Sequence, residues 1–120
     1  MARDAPREPV KVVHARKLIA QHLSNPDLNV RFLARWMACS PDYLSHCFRT
    51  ATGITLTRYI NSRRILQAQT LMQRPSMNIR EIAHASGYRD AGYFARIFRQ
   101  ITSRTPKQHR QRLAAFSRRD

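Results

Sequence analysis

Apolar residues recur along this chain at the three-to-four-residue spacing of amphipathic helices, and no segment shows the alternation of a strand. The first stripe includes Val12, Leu18 and Leu23, and Asn25-Pro26 ends the helix that carries it. Capping residues, stop signals and apolar faces predict six further helices. They span residues 30–37, 41–52, 55–73, 79–85, 91–101 and 105–116. The pattern therefore predicts an all-α fold of seven helices.

Several aromatic residues lie at positions that predict a helical core. In the third helix the inward face consists of Tyr43, Leu44, Cys47 and Phe48. Trp36 has similar spacing in the second helix, and we interpret it as core rather than as a stacking platform. Cys47 is then expected to be a buried structural thiol.

A shift of 50 residues brings the two halves of the chain into register. The pairs are Tyr43 with Tyr93, Leu44 with Phe94, Phe48 with Phe98, Arg49 with Arg99 and Thr55 with Thr105. Upstream, Leu33-Ala34 pairs with Ile82-Ala83 at a shift of 49, so the second turn is predicted to be one residue longer. Each half has a short helix with an apolar-Ala pair, a tight turn, a capped helix and a helix that begins at a Thr.

A short helix, a tight turn and a capped second helix form the layout of a helix-turn-helix unit. The sequence thus predicts two such units, a homeodomain-like pair, bridged by a long central helix. About 17 residues of that helix span roughly 26 Å, and with the half-width of each unit we expect two reading helices about one DNA turn apart, roughly 34 Å. The predicted segments are a flexible lead-in or linker at 1–9, a first unit at 10–54, a linking helix at 55–74, a second unit at 75–116 and a basic tail at 117–120.

The net charge is +15, from 22 Lys and Arg against 7 Asp and Glu, so the surface attracts a polyanion. DNA, RNA and an anionic membrane surface are the candidate partners. Arg far outnumbers Lys, which favours nucleic acid because the guanidinium group matches phosphate and guanine edges. No apolar run is long enough to span a membrane, and residues 1–9 lack the apolar centre of a signal peptide. We therefore expect a cytoplasmic, nucleoid-associated protein with no membrane partner.

The most specific stretch of the sequence lies in the second unit. It reads Ile82-Ala83-His84-Ala85-Ser86-Gly87-Tyr88-Arg89-Asp90, followed by Tyr93-Phe94, Arg96, Phe98-Arg99, Thr105-Pro106 and Arg110. Matching positions in the first unit are Ser40, Tyr43-Leu44-Ser45, Phe48-Arg49 and Gly53. Over about residues 10–112 the sequence resembles the AraC/XylS family of bacterial transcription activators. The resemblance implies a fold of seven helices in which a long helix bridges two helix-turn-helix units.

Four positions depart from the family's pattern. His46 stands where the first reading helix often has Arg, and Gly92 stands where the second usually has a polar residue. Ser103 replaces a usual Gly, and His109 replaces a usual aromatic residue. We expect the fold to be retained and the preferred DNA sequence to change.

The resemblance implies which side chains of the first unit face base edges: Asp42, Ser45 and His46. Asp accepts from cytosine, and His or Ser can meet several bases. For Asp42, neutralising the positive end of the helix is an equally good interpretation.

The corresponding positions of the second unit are Ala91, Gly92, Ala95 and Arg96. Arg96 is the strongest candidate, because Arg paired with guanine is the commonest specific base contact. A phosphate contact or a solvated charge is its alternative role. The small residues permit close approach and can touch a thymine methyl group, or they are simply compatible with a helix.

Basic residues and helix starts in both units are candidates for phosphate contacts, since helix amide ends and cationic side chains bind phosphate. They are Arg49, Thr55, Arg58, Arg63, Arg99, Arg104, Thr105, Lys107 and Arg110. Thr57 and Gln108 are further polar candidates. For any single Arg, a solvent-facing charge is an equally good interpretation.

No enzyme, cofactor or metal site is predicted. Cys39 and Cys47 lack the spacing of a zinc finger and do not form a disulfide framework. The five His residues show no catalytic partner arrangement, and the sequence has neither a Gly-rich phosphate loop nor a carboxylate pair. A reducing cytoplasm suits this cysteine content.

The leading hypothesis is a sequence-specific regulator of a bipartite double-stranded DNA site of about 20 bp. The family resemblance implies that it activates transcription by contacting RNA polymerase. The alternative is a non-specific nucleic-acid-coating protein, which the net charge favours and the capped, repeated reading helices disfavour. A third hypothesis is a helical module on anionic membrane, but no helix has a continuous apolar face opposite a Lys-rich face.

The charged, Pro-containing residues 1–9 are typical of an interdomain linker. We therefore expect a fragment of a longer regulator that carries a sensing or dimerisation domain. A complete short chain, regulated by its abundance, is the other interpretation.

Overall fold

The computed structural model describes the backbone of residues 8–118 and the side chains of residues 8–116. Its helices are α1 (Val10–His22), α2 (Val30–Trp36), α3 (Pro41–Thr52), α4 (Leu56–Leu71), α5 (Ile79–Ala85), α6 (Ala91–Thr102) and α7 (Pro106–Arg118). The described residues contain no strand, so the all-α prediction with seven helices is confirmed. Most of the predicted lead-in and the end of the predicted basic tail lie outside the described residues.

The chain divides into two compact units. Unit 1 comprises Met1–His22 and Asp27–Ile60, and unit 2 comprises Leu23–Pro26 and Asn61–Asp120. The division falls inside α4, whereas the sequence treats residues 55–74 as a separate linking helix. The domain limits drawn from the sequence stay a prediction.

Unit 1 is built on mutual contacts among α1, α2 and α3. Its fully buried side chains include Ile19, Leu33, Leu44 and Phe48, each no more than 1% exposed. Burying such a side chain contributes roughly 1.5–3 kcal/mol. Tight packing around these residues therefore fixes the orientation of α3.

Unit 2 has its own apolar core. Phe94 and Phe98 of α6 pack with Ile82 of α5, with Ile65 of α4 and with Met72, the residue after α4. These residues occur at the helical spacing that keeps one face of α6 inward. The opposite face of α6 is therefore left to solvent.

Side-chain caps begin the first short helix of each helix-turn-helix. Asn29 Oδ1 accepts a hydrogen bond from the Phe32 N–H at 2.8 Å and starts α2. At α5, Asn78 Oδ1 accepts from the Glu81 N–H at 2.8 Å, while the Glu81 carboxylate accepts from the Asn78 N–H at 2.9 Å. Caps of this kind satisfy amides that have no partner within the helix. Both helices thus begin at the residues that the sequence predicts.

The two turns differ in length by one residue. The turn between α2 and α3 has four residues, 37–40, and the turn between α5 and α6 has five, 86–90. Each contains one left-handed residue, Ala38 at φ 54° and Gly87 at φ 99°. The longer second turn is therefore confirmed, with Arg89 as its additional residue.

The ends of α3 and α6 repeat one hydrogen-bond arrangement at a shift of 50. Thr52 Oγ1 donates to the carbonyl of Phe48 at 2.7 Å, and Thr102 Oγ1 donates to that of Phe98 at 2.8 Å. Because this geometry recurs in both halves, the sequence repeat is also a repeat of local structure.

A left-handed residue follows each of these threonines. Gly53 has φ 81° and Ser103 has φ 66°, and each N–H donates 2.8 Å to the carbonyl of Arg49 or Arg99, respectively. This is a common way for a helix to end. Unit 1 closes the turn with glycine and unit 2 closes it with serine.

Three core predictions are wrong. Tyr43 is 53% exposed and Trp36 is 56% exposed, while Cys47 is partly exposed. Apolar spacing identifies a stripe, but Leu44 takes the inward position of α3 and Tyr43 lies about 100° round the helix from it. Trp36 stacks on Phe32 with ring centroids 5.6 Å apart, so its contacts lie at the surface rather than in the core.

Residues 23–26 belong to unit 2 because α4 holds them. The Arg64 Nε donates to the Leu23 carbonyl at 3.0 Å, and its second nitrogen donates to the Asn25 carbonyl at 2.8 Å. Gln67 donates to Ser24 Oγ at 2.9 Å. Arg64 is only 7% exposed, so these contacts satisfy a buried cation.

Within the described part of the chain, no helix combines the length and the apolarity that crossing a membrane requires.

Candidate nucleic-acid interface

The first candidate reading helix, α3, is ordered at its start by two residues. Ser40 Oγ accepts from the Tyr43 N–H at 3.1 Å, and Pro41 takes the first helical position. The backbone N–H of the first helical residue has no partner within the helix, so proline, which lacks this N–H, loses no hydrogen bond there. The fixed φ of proline also suits the helix. The first turn of α3 is therefore fixed without any contact from its outer face.

The outer face of α3 brings four predicted residues together. Asp42, Ser45, His46 and Arg49 follow the i, i+3, i+4, i+7 spacing and so share one side of the helix. Asp42, His46 and Arg49 are exposed and Ser45 is half-buried. The groove beside this face is lined by Val30, Ser45, His46, Arg49, Thr50, Thr55, Leu56 and Thr57. Thr50 is the polar residue of this groove that the sequence does not predict as a DNA contact.

The second candidate reading helix, α6, begins at Asp90. Its Oδ1 accepts from the Gly92 N–H at 2.8 Å and from the Tyr93 N–H at 3.4 Å. A Cβ added at Gly92 would lie 3.2 Å from that same oxygen. The glycine at a predicted base-reading position therefore also gives room to the cap.

The outer face of α6 consists of small residues in its first half, followed by two long cations, Arg96 and Arg99. Gly92 and Arg96 are exposed, while Ala91 and Ala95 are half-buried. The guanidinium carbon of Arg96 lies 5.6 Å from the ring centroid of Tyr93. This face is much less bulky than that of α3, so a bound duplex can approach its backbone closely.

A cleft beside the start of α6 adds residues that sequence reasoning missed. Arg80, His84 and Arg89 line it together with Asp90, Ala91 and Gly92. Two signals in the sequence could have identified them. Arg89 is the residue that lengthens the second turn, and Arg80 and His84 lie at i and i+4 on α5.

Two helix starts in the candidate set are capped by their own threonines. Thr55 Oγ1 accepts from the Arg58 N–H at 3.1 Å and begins α4. Thr105 Oγ1 accepts from the Gln108 N–H at 3.1 Å, while Gln108 Oε1 accepts from the Thr105 N–H at 2.9 Å. Gln108 is therefore occupied by a capping box. In these caps the side-chain oxygens accept, so the hydroxyl groups of Thr55 and Thr105 and the amide nitrogen of Gln108 still have hydrogens to donate to a phosphate.

The other phosphate candidates of unit 2 differ in exposure. Arg63, Arg99 and Lys107 are exposed, and Arg104 is half-buried. In unit 1, Arg49 and Arg58 are exposed. Exposed cations of this kind are available to a polyanion.

Arg110 stands apart from the rest of the set. Its guanidinium donates to the carbonyls of Met77, Arg74 and Met72, which all lie between α4 and α5. These acceptors lie 33 to 38 residues earlier in the chain, so sequence spacing did not reveal them. The structure does not bring Arg110 together with the other candidates; its guanidinium instead holds the segment between α4 and α5.

One aromatic contact recurs in both units with a different residue in each. Phe48 and Tyr59 have ring centroids 5.2 Å apart, and at a shift of 50 Phe98 and His109 are 5.5 Å apart. The Nδ1 of His109 is buried without a hydrogen-bond partner. Burial, with repulsion from Arg104 and Arg112, holds the pKa of His109 below its ordinary value. His109 thus acts as a neutral aromatic residue.

Among the basic side chains of unit 1, Arg16 is not part of the outer face. It binds the Glu8 carboxylate with two hydrogen bonds of 2.8 and 2.7 Å. Its guanidinium carbon also lies 4.9 Å from the ring centroid of Tyr59. The hydrogen bond from Arg16 lowers the pKa of Glu8. The described residues contain no group of His, Cys, Asp and Glu side chains that could hold a metal ion.

Comparison with known proteins agrees with this architecture. The sequence profile of a helix-turn-helix domain family matches residues 33–112. The chain is 38% identical over 95 residues to the regulatory protein SoxS of Salmonella typhimurium, which covers 79% of this chain and 88% of that protein. It is 31% identical over 100 residues to the arabinose operon regulatory protein of Escherichia coli, covering 83% of this chain but only 34% of that protein.

A solved structure has the same fold. The C-terminal domain of AraT, a response regulator from Geobacillus stearothermophilus, superposes with a TM-score of 0.84 at 30% identity, covering 88% of each chain. Family profile, relatives and fold agree, and this chain belongs to the AraC/XylS family of transcription regulators as a DNA-binding domain.

Proposed function

We propose that this domain binds a bipartite site of about 20 bp in double-stranded DNA, with α3 and α6 each reading one major groove, and that it activates transcription by contacting RNA polymerase. The observation that carries the proposal is the repeat of local structure: each unit presents a capped helix with exposed polar or charged side chains on its outer face. A net charge of +15 supplies attraction to the phosphate backbone. The family is one of DNA-binding regulators and not a class of enzymes.

Base reading is assigned to the outer faces of the two helices. In unit 1, Asp42, Ser45 and His46 offer one acceptor and two adaptable groups. In unit 2, Arg96 offers a bidentate donor to guanine, and the surrounding small residues permit contact with a thymine methyl group. The two half-sites are therefore expected to differ in sequence.

Phosphate contacts are assigned to the exposed cations that flank these faces. They are Arg49, Arg58, Arg63, Arg99 and Lys107, joined by Arg104 and by the helix starts at Thr55 and Thr105. The cleft residues Arg80 and Arg89 extend this set in unit 2. Contacts of this class position the protein without reading sequence.

Selection from a random duplex library at physiological salt tests the proposal. Enrichment of two different motifs spaced by one helical turn is the expected result. Strong, salt-sensitive binding without enrichment would instead support the non-specific coating alternative. Protection of a single half-site in footprinting would contradict the two-unit mode.

Two variants separate base reading from phosphate contact. Arg96→Ala is expected to cost about 1–3 kcal/mol at one base position and to relax the preference there. Arg63→Ala is expected to weaken binding to every duplex alike and to lower the salt slope by about 1. A uniform loss for Arg96→Ala would reassign that residue to phosphate.

Activation and the longer parent chain need their own tests. The chain spans 34% of the arabinose operon regulatory protein, and we propose that it belongs to a longer regulator with a sensing or dimerisation domain. A reporter placed downstream of the selected site should rise in output when the domain is expressed. A fall in output would make the domain a repressor at that site.

A further inference from the structure

Arg96 is held against an aromatic ring in the structure. Its guanidinium carbon lies 5.6 Å from the ring centroid of Tyr93, within the range of a cation–π interaction. Tyr93 is 40% exposed, so part of its ring is available for this contact. Arg96, the strongest candidate for base reading, therefore has an aromatic contact on its own helix.

The direction of side chains on a helix places Arg96 over Tyr93. Long side chains of a helix lean toward the residues three and four positions earlier. For Arg96 these are Tyr93 and Gly92. Glycine offers no side-chain surface, so Tyr93 is the single neighbour on that side with a ring to receive the cation.

Tyr93 is itself supported by the core of unit 2. Its ring centroid lies 6.0 Å from that of Tyr88, which is almost fully buried. The Tyr88 hydroxyl donates to Asn61 Oδ1 at 2.7 Å. Burial raises the pKa of Tyr88, so this hydroxyl stays protonated as a donor. A continuous series of contacts thus runs from α4 to the ring beneath Arg96.

Unit 1 has the same tyrosine without the same cation. Tyr43 corresponds to Tyr93, but the position three residues later is His46 instead of Arg. The ring of Tyr43 lies 5.4 Å from the Nζ of Lys11, a residue of α1. The arrangement of ring and reading arginine is therefore confined to unit 2.

We propose that Tyr93 is a positioning residue that holds the Arg96 guanidinium ready for one guanine, so that unit 2 discriminates a G·C pair more sharply than a freely rotating arginine would. The inference rests on the proposed function, since it presumes that α6 reads base edges. Its physical basis is entropy: an arginine loses side-chain freedom when it binds, and one already held loses less. Tyr93 contributes to specificity without touching DNA.

The test measures a discrimination ratio at one base pair. That pair is found as the position whose preference Arg96→Ala abolishes in the selected site. The ratio is the Kd for the duplex changed at that pair divided by the Kd for the selected duplex. Tyr93→Leu is expected to lower the ratio roughly two- to fivefold, the effect of an exposed cation–π contact, while Tyr93→Phe retains it.

Three controls distinguish positioning from a general loss of structure. Tyr43→Leu, the matched change in unit 1, should leave the ratio at this base pair unchanged. In an Arg96→Ala background, Tyr93→Leu should have no further effect on the ratio. Binding to random duplex and its salt slope should agree with the wild type, and circular dichroism should show a folded domain.

The outcomes are separable. The role of Tyr93 is overturned if Tyr93→Leu leaves the discrimination ratio unchanged. It is also overturned if Tyr93→Leu lowers the ratio by the same factor in the Arg96→Ala background. In both cases the proposed function still stands. A wild-type protein without any preferred sequence overturns both. Loss of the ratio in Tyr93→Phe shows that the hydroxyl, and not the ring, is what matters, and also overturns the inference.

Discussion

Units 1 and 2 each contain two left-handed turn residues, but they place their glycine at opposite turns. In the turn before the reading helix, unit 1 has Ala38 and unit 2 has Gly87. After the reading helix, unit 1 has Gly53 and unit 2 has Ser103. The backbone conformation is shared, so the difference shows that a positive φ alone does not decide where glycine is required.

At one of these four positions, the space around the backbone decides that the residue must be glycine. A Cβ at Gly87 would lie 2.5 Å from the Leu23 carbonyl oxygen and 2.6 Å from Arg64 Nε. A Cβ at Gly53 would meet nothing within 4 Å. Gly87 is thus needed for a close backbone approach as well as for its φ, whereas at Gly53 only the φ favours glycine.

The largest expected effect comes from adding a methyl group at these two glycines. Gly87→Ala should lower the free energy of unfolding by about 3 kcal/mol, because the clash with backbone adds to the strain of a left-handed alanine. Gly53→Ala should cost about 1 kcal/mol, for conformation alone. Urea unfolding followed by circular dichroism measures both. If both variants lose the same free energy of unfolding, the backbone clash at Gly87 adds nothing to the cost of the left-handed conformation.

The two units also differ at one aromatic position of the repeat, which is Tyr59 in unit 1 and His109 in unit 2. The pKa of folded His109 lies below its ordinary value of 6.5, so the unfolded chain binds more protons as the pH falls. The stability that His109 contributes is therefore complete above about pH 6.5 and is lost as the pH drops through the folded pKa. Unit 2 should become less stable in mild acid.

His109→Phe tests this pH dependence. The variant should flatten the fall in melting temperature below pH 6.5 and add about 1 kcal/mol at neutral pH, because a buried nitrogen without a partner is removed. Tyr59→Phe is the matched change in unit 1 and should leave the acid slope as it was. If the melting temperature of His109→Phe still falls as steeply below pH 6.5, a titratable group other than His109 causes the fall.

The smallest expected effect comes from supplying glycine where each unit lacks it. Ser103→Gly and Ala38→Gly should each stabilise the domain by about 0.5–1 kcal/mol, since relief of left-handed strain exceeds the added freedom of the unfolded chain. Melting temperatures of the single and double variants would show whether the gains add. A destabilising Ser103→Gly would mean that its side chain has a role that strain does not describe.

The helices could be predicted from sequence because their starts are local. Asn29, Ser40, Asn78 and Asp90 accept from amides only two or three residues away, so each cap is visible within a few letters of sequence. The repeat at a shift of 50 was visible for the same reason. The outer faces of α3 and α6 followed from the spacing of the residues that pack inward.

Features that depend on distant residues could not be predicted. The contact of Arg110 with the carbonyl of Met77 is one of them, since nothing near Arg110 in sequence marks Met77 as its acceptor. Tyr43 and Trp36 were placed in the core, because periodicity does not say where a buried stripe ends. The ring beneath Arg96 was also missed, although its spacing of three residues was available in the sequence.

Residues 23–26 make each of the two units discontinuous along the chain. The segment leaves α1 of unit 1, joins unit 2 through Arg64 and Gln67, and returns to unit 1 at Asp27. A tandem gene duplication would produce two self-contained halves, but here a cut between Ile60 and Asn61 removes a piece of unit 2 along with unit 1. The second helix-turn-helix cannot be transplanted as a contiguous stretch with all its hydrogen bonds, so exchange between relatives is expected to preserve the whole domain.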